Sequence, residues 1–230
     1  MEKKNLLGLF VFLGLVAIAV ALPVSVKNYT SAQRSVFVKG LCEKEVPADR
    51  AIWPIVYKEG GNDIGALAAQ MEKKNAIVVE WLRKAGFSDE EISISAPKVE
   101  DQRTYSYEHR QYDYIMTCAV TVCSDKVDKV VELQTKQFDL LGRGIAIGAS
   151  SWEYPVVYEY TGLNQIKPEM IEQATQNARA AAQKFAKDSG SRVGKSISAT
   201  QGQFSINDRD SHTPYIKTVR VVTSVNYQLK

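Results

Sequence analysis

The sequence is poor in the residues from which most active sites and metal centres are built. It holds three cysteines and two histidines in 230 residues, too few and too far apart for any standard structural zinc pattern. Neither histidine lies near a cysteine, and there is no Gly-x-Ser-x-Gly turn and no His-Glu-x-x-His helix. A triad assembled from distant parts of the fold stays open, but no catalytic, cofactor-binding or metal-binding residue can be named from motifs. An excess of one charge is missing too. The net charge of +3 comes from basic residues scattered among acidic ones, which argues against a nucleic-acid partner.

The glycines offer one superficial exception, Gly142-Arg143-Gly144-Ile145-Ala146-Ile147-Gly148. A phosphate-cradling loop needs a strand before its glycines and a helix after them. Here the order is helix, glycines, strand, so the run reads as a helix end leading into a strand.

What the sequence does have is one long apolar run. Lys3 and Lys4 precede Leu6–Val26, which carries no charge. Its 21 residues would make a helix of roughly 31 Å at about 1.5 Å per residue, close to the hydrocarbon thickness of a bilayer. The flanking lysines leave the N-terminus in the cytoplasm and deliver everything after about residue 27 across the membrane. Two outcomes remain open: a retained single-pass anchor in the inner membrane with a periplasmic domain, or a signal segment cleaved near Ala21, at the A-x-A-like Ala19-Val20-Ala21. Residues 28–34 form a polar linker, and the folded part runs from 35 to 230.

Alternation marks strands at Ser35–Val46, with Val36, Val38, Gly40 and Cys42 on one face and Phe37 and Leu41 on the other, and at Ala51–Lys58. Pro54 argues that the second is an edge or carries a bulge. Asp63 is a candidate N-cap for an amphipathic helix that ends at Gly86. Glu91–Lys98 reads as a strand with Ile92, Ile94 and Ala96 toward the core, and Tyr112–Val122 as a half-buried antiparallel strand. A helix over 125–141, with Val127, Val130, Val131, Phe138 and Leu141 inward, is stopped by Gly142. Ile145–Tyr160 is interrupted strand material. The longest helix is expected to begin at Pro168 and stop at Gly190, with Met170, Ile171, Ala174, Ala178, Ala181, Ala182 and Phe185 forming one apolar stripe. Because that stripe is mostly alanine, the helix can lie close to whatever covers it. Arg192–Phe204 and Ile216–Leu229 close the chain as strands around a charged turn, Asn207–Pro214.

Helix starts at Asp63 and Pro168, helix-ending glycines at Gly86 and Gly190, and strand ends at Cys123 and Leu229 are all offset by about 105 residues. The expected fold is therefore α+β: duplicated βαββ-type units over 35–124 and 143–230, joined by the helix at 125–141. Helices pack on one face of antiparallel sheet, and an N-terminal hydrophobic helix precedes the whole.

Several pieces together resemble the SIMPL family of exported bacterial proteins. They are Val36-Phe37-Val38-Lys39-Gly40, Pro47-Ala48-Asp49-Arg50-Ala51, Trp81-Leu82-Arg83-Lys84-Ala85-Gly86-Phe87 before Ile92 and Ile94, and Tyr105 and Tyr112 around a hairpin tip. Asn177-Ala178-Arg179-Ala180-Ala181-Ala182 leading to Gly190 and Gly194, and the closing strand Val219–Leu229, complete the pattern. The resemblance implies a periplasmic or surface-associated domain linked to envelope stress tolerance, with no established catalytic residues and with some members oligomeric. Ser150–Asn164, with Trp152, Tyr154, Tyr158 and Tyr160, is more aromatic than the family pattern.

The tips Arg103–Arg110 and Asp208–Tyr215 are the candidate interaction surfaces, through Tyr105, Tyr107, His109, Arg110 and Tyr215. Glu100, Asp101, Glu108, His109 and Asp113 gather near the first tip and read as solvated turn charges. His212 stands alone in the second. Three functions follow in order of support. The first is a non-enzymatic, membrane-anchored envelope protein acting through homo-oligomerisation or an envelope protein partner. The second is a small-molecule or peptide binder with a groove between the halves, and the third a hydrolase whose site no motif reveals. Cys118 and Cys123 lie on one strand roughly 16 Å apart at ~3.3 Å per residue, too far for the about 7 Å a disulfide allows. Cys42 shares the apolar pattern of Cys118, and whether those two pair stays open.

Overall fold

The structure, a computed structural model, describes residues 13–16, 18–19, 34–104, 111–148 and 154–230. Residues 13–16 and 18–19 are helical, but most of Leu6–Val26 and the linker before Arg34 lie outside the described residues. Among the described residues no helix is long and apolar enough to cross a membrane.

The elements follow as β1 (Ser35–Pro47), β2 (Arg50–Gly61), α1 (Ile64–Lys84), β3 (Ile92–Ile94), β4 (Lys98–Asp101), a 3-10 turn (Gln102–Thr104) and β5 (Tyr114–Ser124). Then come α2 (Val127–Thr135), α3 (Phe138–Leu141), β6 (Val157–Glu159), α4 (Leu163–Asp188), β7 (Val193–Gln201), β8 (Ser205–Asp208) and β9 (Ile216–Leu229). This is a mixed α+β fold with antiparallel sheets and helices. The chain divides into two compact units.

The first unit takes the chain up to Lys44, then Gln165–Ser205 and Val219–Lys230. Its sheet runs in the order β1-β9-β7. The faces of β1 are those the alternation predicts: Val36 and Gly40 are buried, while Phe37 and Leu41 are exposed. The α4 helix covers the buried face. Its stripe is Met170, Ala174, Ala178, Ala182 and Ala186, so the expected stripe is corrected at its end. Ala181 is exposed and Phe185 is 57% exposed, whereas Ala186 is buried. Spacings of three and four are both helical neighbours, so two adjacent rows satisfied the pattern and burial selects one. A Cβ on Gly40 would lie 1.9 Å from the Ala174 carbonyl oxygen and 2.4 Å from the Ala178 nitrogen. Helix backbone therefore sits directly on strand backbone, and only glycine over alanine permits it. The Asn177 side-chain amide donates to the Leu41 carbonyl (2.8 Å) at the same place.

The second unit comprises Glu45–Asn164 and Ile206–Thr218. Its sheet is ordered β3-β5-β2-β6, with β4 also on β5. Ala51, Trp53, Ile55 and Tyr57 point from β2 into the core, where they meet Leu67, Met71, Val78 and Leu82 of α1 and Val130 and Leu133 of α2. Trp53 and Trp81 pack edge to face with centroids 6.2 Å apart. Asp63 caps α1, its carboxylate accepting from the Ala66 N–H (2.9 Å), and Gly86 ends it at φ +95°.

Other expectations need correcting. The strand over Glu91–Lys98 is two short strands, broken before Pro97, whose ring removes a ladder donor. Ile94 is 53% exposed because β3 is an edge whose outer face nothing covers. The helix over 125–141 breaks at Lys136–Gln137, and the break shifts the phase. Leu140 is buried in place of Phe138 and Leu141. The α4 helix starts at Leu163, not Pro168. The Asp49 carboxylate accepts from the N–H groups of Thr161 (2.7 Å) and Gly162 (2.9 Å), so an acid precedes the first turn five residues earlier than the proline suggested. Asn207 and Asp208 belong to β8 rather than to a turn. Strand β2 is interior. Its Pro54, opposite Thr121 of β5, lies between the three residues paired with β6 and the bridge from Tyr57 to Ile147.

Cys42 and Cys118 sit on strands of different sheets, and all three cysteines are free. Cys118 is buried and Cys123 exposed, as opposite faces of one strand require. Gly142 caps α3, and Gly144 turns the chain at φ +78° into Ile145, which is buried. No helix follows the glycines, as a phosphate loop would need.

Candidate functional site

Of the interaction residues singled out from sequence, Tyr105, Tyr107, His109 and Arg110 lie outside the described residues, as do Glu108 and Trp152. Beside them, Asp101 holds Arg103 through a bidentate pair (3.0 and 2.7 Å), and the Arg103 guanidinium stacks 4.7 Å over the Tyr114 ring. Tyr112 covers Gly60, where a Cβ would meet its ring at 2.2 Å. Among the described residues no group of His, Cys, Asp and Glu side chains is arranged to hold a metal ion.

Tyr215 is different. It ends a segment that the second unit holds firmly on both sides. The Asp210 carboxylate accepts from the backbone N–H groups of His212 and Thr213 (2.8 Å each) and from the Thr213 hydroxyl. Arg209 bridges Asp210 (3.0 Å) and Glu45 (3.4 Å). The Thr213 hydroxyl, the Arg209 guanidinium and these backbone donors hold the Asp210 carboxyl well below the usual range. At its end, the Tyr215 carbonyl accepts from the Ala48 N–H (2.8 Å), and its ring meets Tyr158 edge to face at 6.0 Å. A turn that reads from sequence as a charged loop is thus built as a fixed wall.

The wall closes one side of a cavity of about 630 Å³. Trp53, Pro54 and Val56 of β2, beyond the three residues that pair with β6, also line it. Tyr158 lines it too, and its hydroxyl donates to the Gln134 side-chain oxygen (3.2 Å). Burial pushes the Tyr158 phenol up, more than the Gln134 bond pulls it down. Gln134, Thr135 and Gln137 supply amides and a hydroxyl to the lining, and Ser211 and His212 belong to it as well. The described lining contains no Asp, Glu, Lys, Arg or Cys. Such a site offers stacking surface, neutral hydrogen-bonding groups and one imidazole.

The match to a family is extensive. A sequence model described as SIMPL, protein of unknown function (DUF541), matches residues 36–227. This chain belongs to the SIMPL family. The matched span opens on Val36, the first buried residue of β1, and closes on Tyr227, the last buried residue of β9. It therefore embraces both units and every residue of the cavity. No curated protein matches the chain.

Sequence reasoning named Tyr215 and noted His212, but missed the cavity that joins them to Trp53, Gln134 and Tyr158. These residues are separated by up to 162 positions (from Trp53 to Tyr215) and share no motif. The only available signal was the aromatic enrichment around Tyr158.

A second carboxylate is firmly engaged elsewhere. Glu91 takes hydrogen bonds from Lys126 (2.8 Å), Ser124 (2.5 Å) and the Ser88 N–H (2.7 Å). Burial alone would raise its pKa, but these donors win and bring it to about 2. With every oxygen committed to the β5–α2 corner, its role is structural.

Proposed function

We propose that this SIMPL protein is an exported cell-envelope protein that works by non-covalent recognition, with the cavity of the second unit as its binding site. The observation that carries this reading is the lining itself: three aromatic rings (Trp53, Tyr158 and Tyr215), the two amides of Gln134 and Gln137, and no described carboxylate or cysteine to partner His212. A volume of about 630 Å³ suits a small molecule or a peptide segment. Leu6–Val26 supports export, and its length supports a retained inner-membrane anchor with the folded part in the periplasm. Self-association is a second reading. It is favoured by β7, a nine-residue strand at the end of its sheet order with side chains exposed from Lys195 onward.

The same reading takes the two βαββ units as products of duplication. Its support, for the halves 35–124 and 143–230, is that Gly86 and Gly190 both end a helix at positive φ about 105 residues apart, and that each helix is followed by strands that pair antiparallel, β3 with β5 and β7 with β9.

The test is native purification of the full chain from its own cells by gentle detergent extraction, followed by mass measurement of the species and of whatever it carries. A bound molecule present in the wild type and lost from Tyr215→Ala supports the cavity. Identical, empty preparations of both sink it. The intact mass also reads the anchor, since a mature chain starting at Leu22 would show a cleaved signal.

A further inference from the structure

The cavity has a neighbour. A shallower depression of about 160 Å³ is lined by Gln134, Gln137, Phe138, Leu141 and Ile147. Gln134, Gln137 and Ile147 line both compartments, so the two share a wall. Phe138 is 79% exposed and Leu141 46%. Core packing gives neither residue a reason to be apolar, and α3 turns both outward beside the opening.

We infer that this two-compartment groove takes an uncharged, extended peptide segment, one side chain entering the aromatic cavity and a second apolar side chain resting on Phe138 and Leu141. The inference rests on the binding reading and adds the ligand's class. Three features select it. First, the described lining of both compartments has no Asp, Glu, Lys or Arg, so a charged ligand would lose its hydration without gaining an oppositely charged partner among the described residues. Second, the shared wall carries two glutamines three positions apart. Tyr158 engages the oxygen of Gln134, a bond that leaves its amide donors unspent. Amides donate and accept as peptide groups do, which suits a backbone running across the shared wall. Third, an extended chain puts alternate side chains on one face about 7 Å apart, the arrangement two adjoining compartments require. A saccharide would use the ring-lined cavity equally well but would leave the Phe138–Leu141 surface without a use.

The experiment is calorimetric titration of the full chain in detergent with acetyl-Ala-Tyr-Ala-Leu-Ala-amide. Companion ligands are the same peptide with Asp in place of Tyr, acetyl-Tyr-amide, and chitobiose as the saccharide arm. The proposal expects saturable binding of the first peptide and at least tenfold weaker binding of its Asp version. Phe138→Ser, an exposed position whose fold is checked by circular dichroism, should weaken the pentapeptide at least tenfold and leave acetyl-Tyr-amide unchanged. Chitobiose binding without peptide binding overturns this inference while the cavity keeps its role. Peptide binding that ignores Phe138→Ser but responds to Tyr215→Ala also overturns it, with the same consequence. Peptide binding indifferent to both variants, or no binding of any ligand alongside empty native preparations, removes the inference and the cavity reading together.

Discussion

Replacing Gly40 with alanine should destabilise the first unit far more than the loss of one hydrogen atom suggests. The added Cβ would stand 1.9 Å from the Ala174 oxygen, 2.4 Å from the Ala178 nitrogen and 2.8 Å from the Ala178 Cβ. Two of those three atoms are backbone, so no rotamer change relieves the clash. The helix must lift from the strand along the contact, opening space around Ala174, Ala178 and Ala182, each now fully buried. Overpacking of this kind costs about 1–3 kcal/mol, and the upper end applies where backbone must move. For a chain of this length, about 3 kcal/mol lowers the melting temperature by roughly 6–12 °C. The control is Gly142→Ala. That residue is exposed and helical (φ −62°), and its Cβ would meet nothing closer than 3.6 Å. There the smaller unfolded-state entropy of alanine should stabilise by about 0.4–1 kcal/mol. Thermal melts of the full-length protein in detergent, followed by circular dichroism at the helix band, separate the two. A Gly40→Ala melt within two degrees of wild type, checked by about a 2 °C criterion, refutes the close contact.

Other outcomes are more local. Glu91 has a folded pKa of about 2 against 4.5 for an unperturbed glutamate, so its contribution is fully present above pH 4.5 and lost as pH falls through 2; Glu91→Gln should cost about 1–3 kcal/mol at neutral pH, with the gap to wild type closing across that window in acid titrations of stability. Asp63→Ala removes the acceptor for the Ala66 N–H and should cost about 1 kcal/mol in urea unfolding; no change would mean the cap is idle. Thiol counting in denaturant without reductant should find three free thiols, and in the folded protein Cys123 should react well before Cys118, which is buried and whose thiol burial pushes up. A bond between Cys118 and Cys123 would contradict the β5 assignment.

Much of the fold was legible because alternation and helix-ending glycines are local signals. Gly86 and Gly190 hold positive φ where the sequence places helix ends, and β1 divides its faces as read. What local pattern could not supply was the identity of the covering element. Ile94 alternates correctly yet faces out, because nothing in β3 itself tells which side of an edge strand is covered. Phe185 and Ala186 both continue a helical stripe, and only the sheet beneath α4 distinguishes them. Phe138 looked like core until the helix broke two residues before it. The candidate site was hidden more deeply. It is a cavity beside the part of β2 beyond its β6 pairing, lined also by a loop more than 150 residues further along the chain. A cavity has no residue pattern of its own.

The alanine row of α4 has one further consequence. Residues four apart advance about 40° around a helix of 3.6 residues per turn, so Met170 to Ala186 winds about 160° as it rises about 24 Å. The buried row is a right-handed screw thread, matching the right-handed twist of the strands under it. A thread of identical small side chains does not define its own position. Sliding α4 by four or by eight residues, with the matching rotation, would set Ala178 or Ala182 where Ala174 now lies, with alanine again over Gly40. What singles out one setting is Met170 at one end and the Asn177 amide on the Leu41 carbonyl, so losing that amide would leave Met170 as the one odd tooth in the thread that tells neighbouring registers apart.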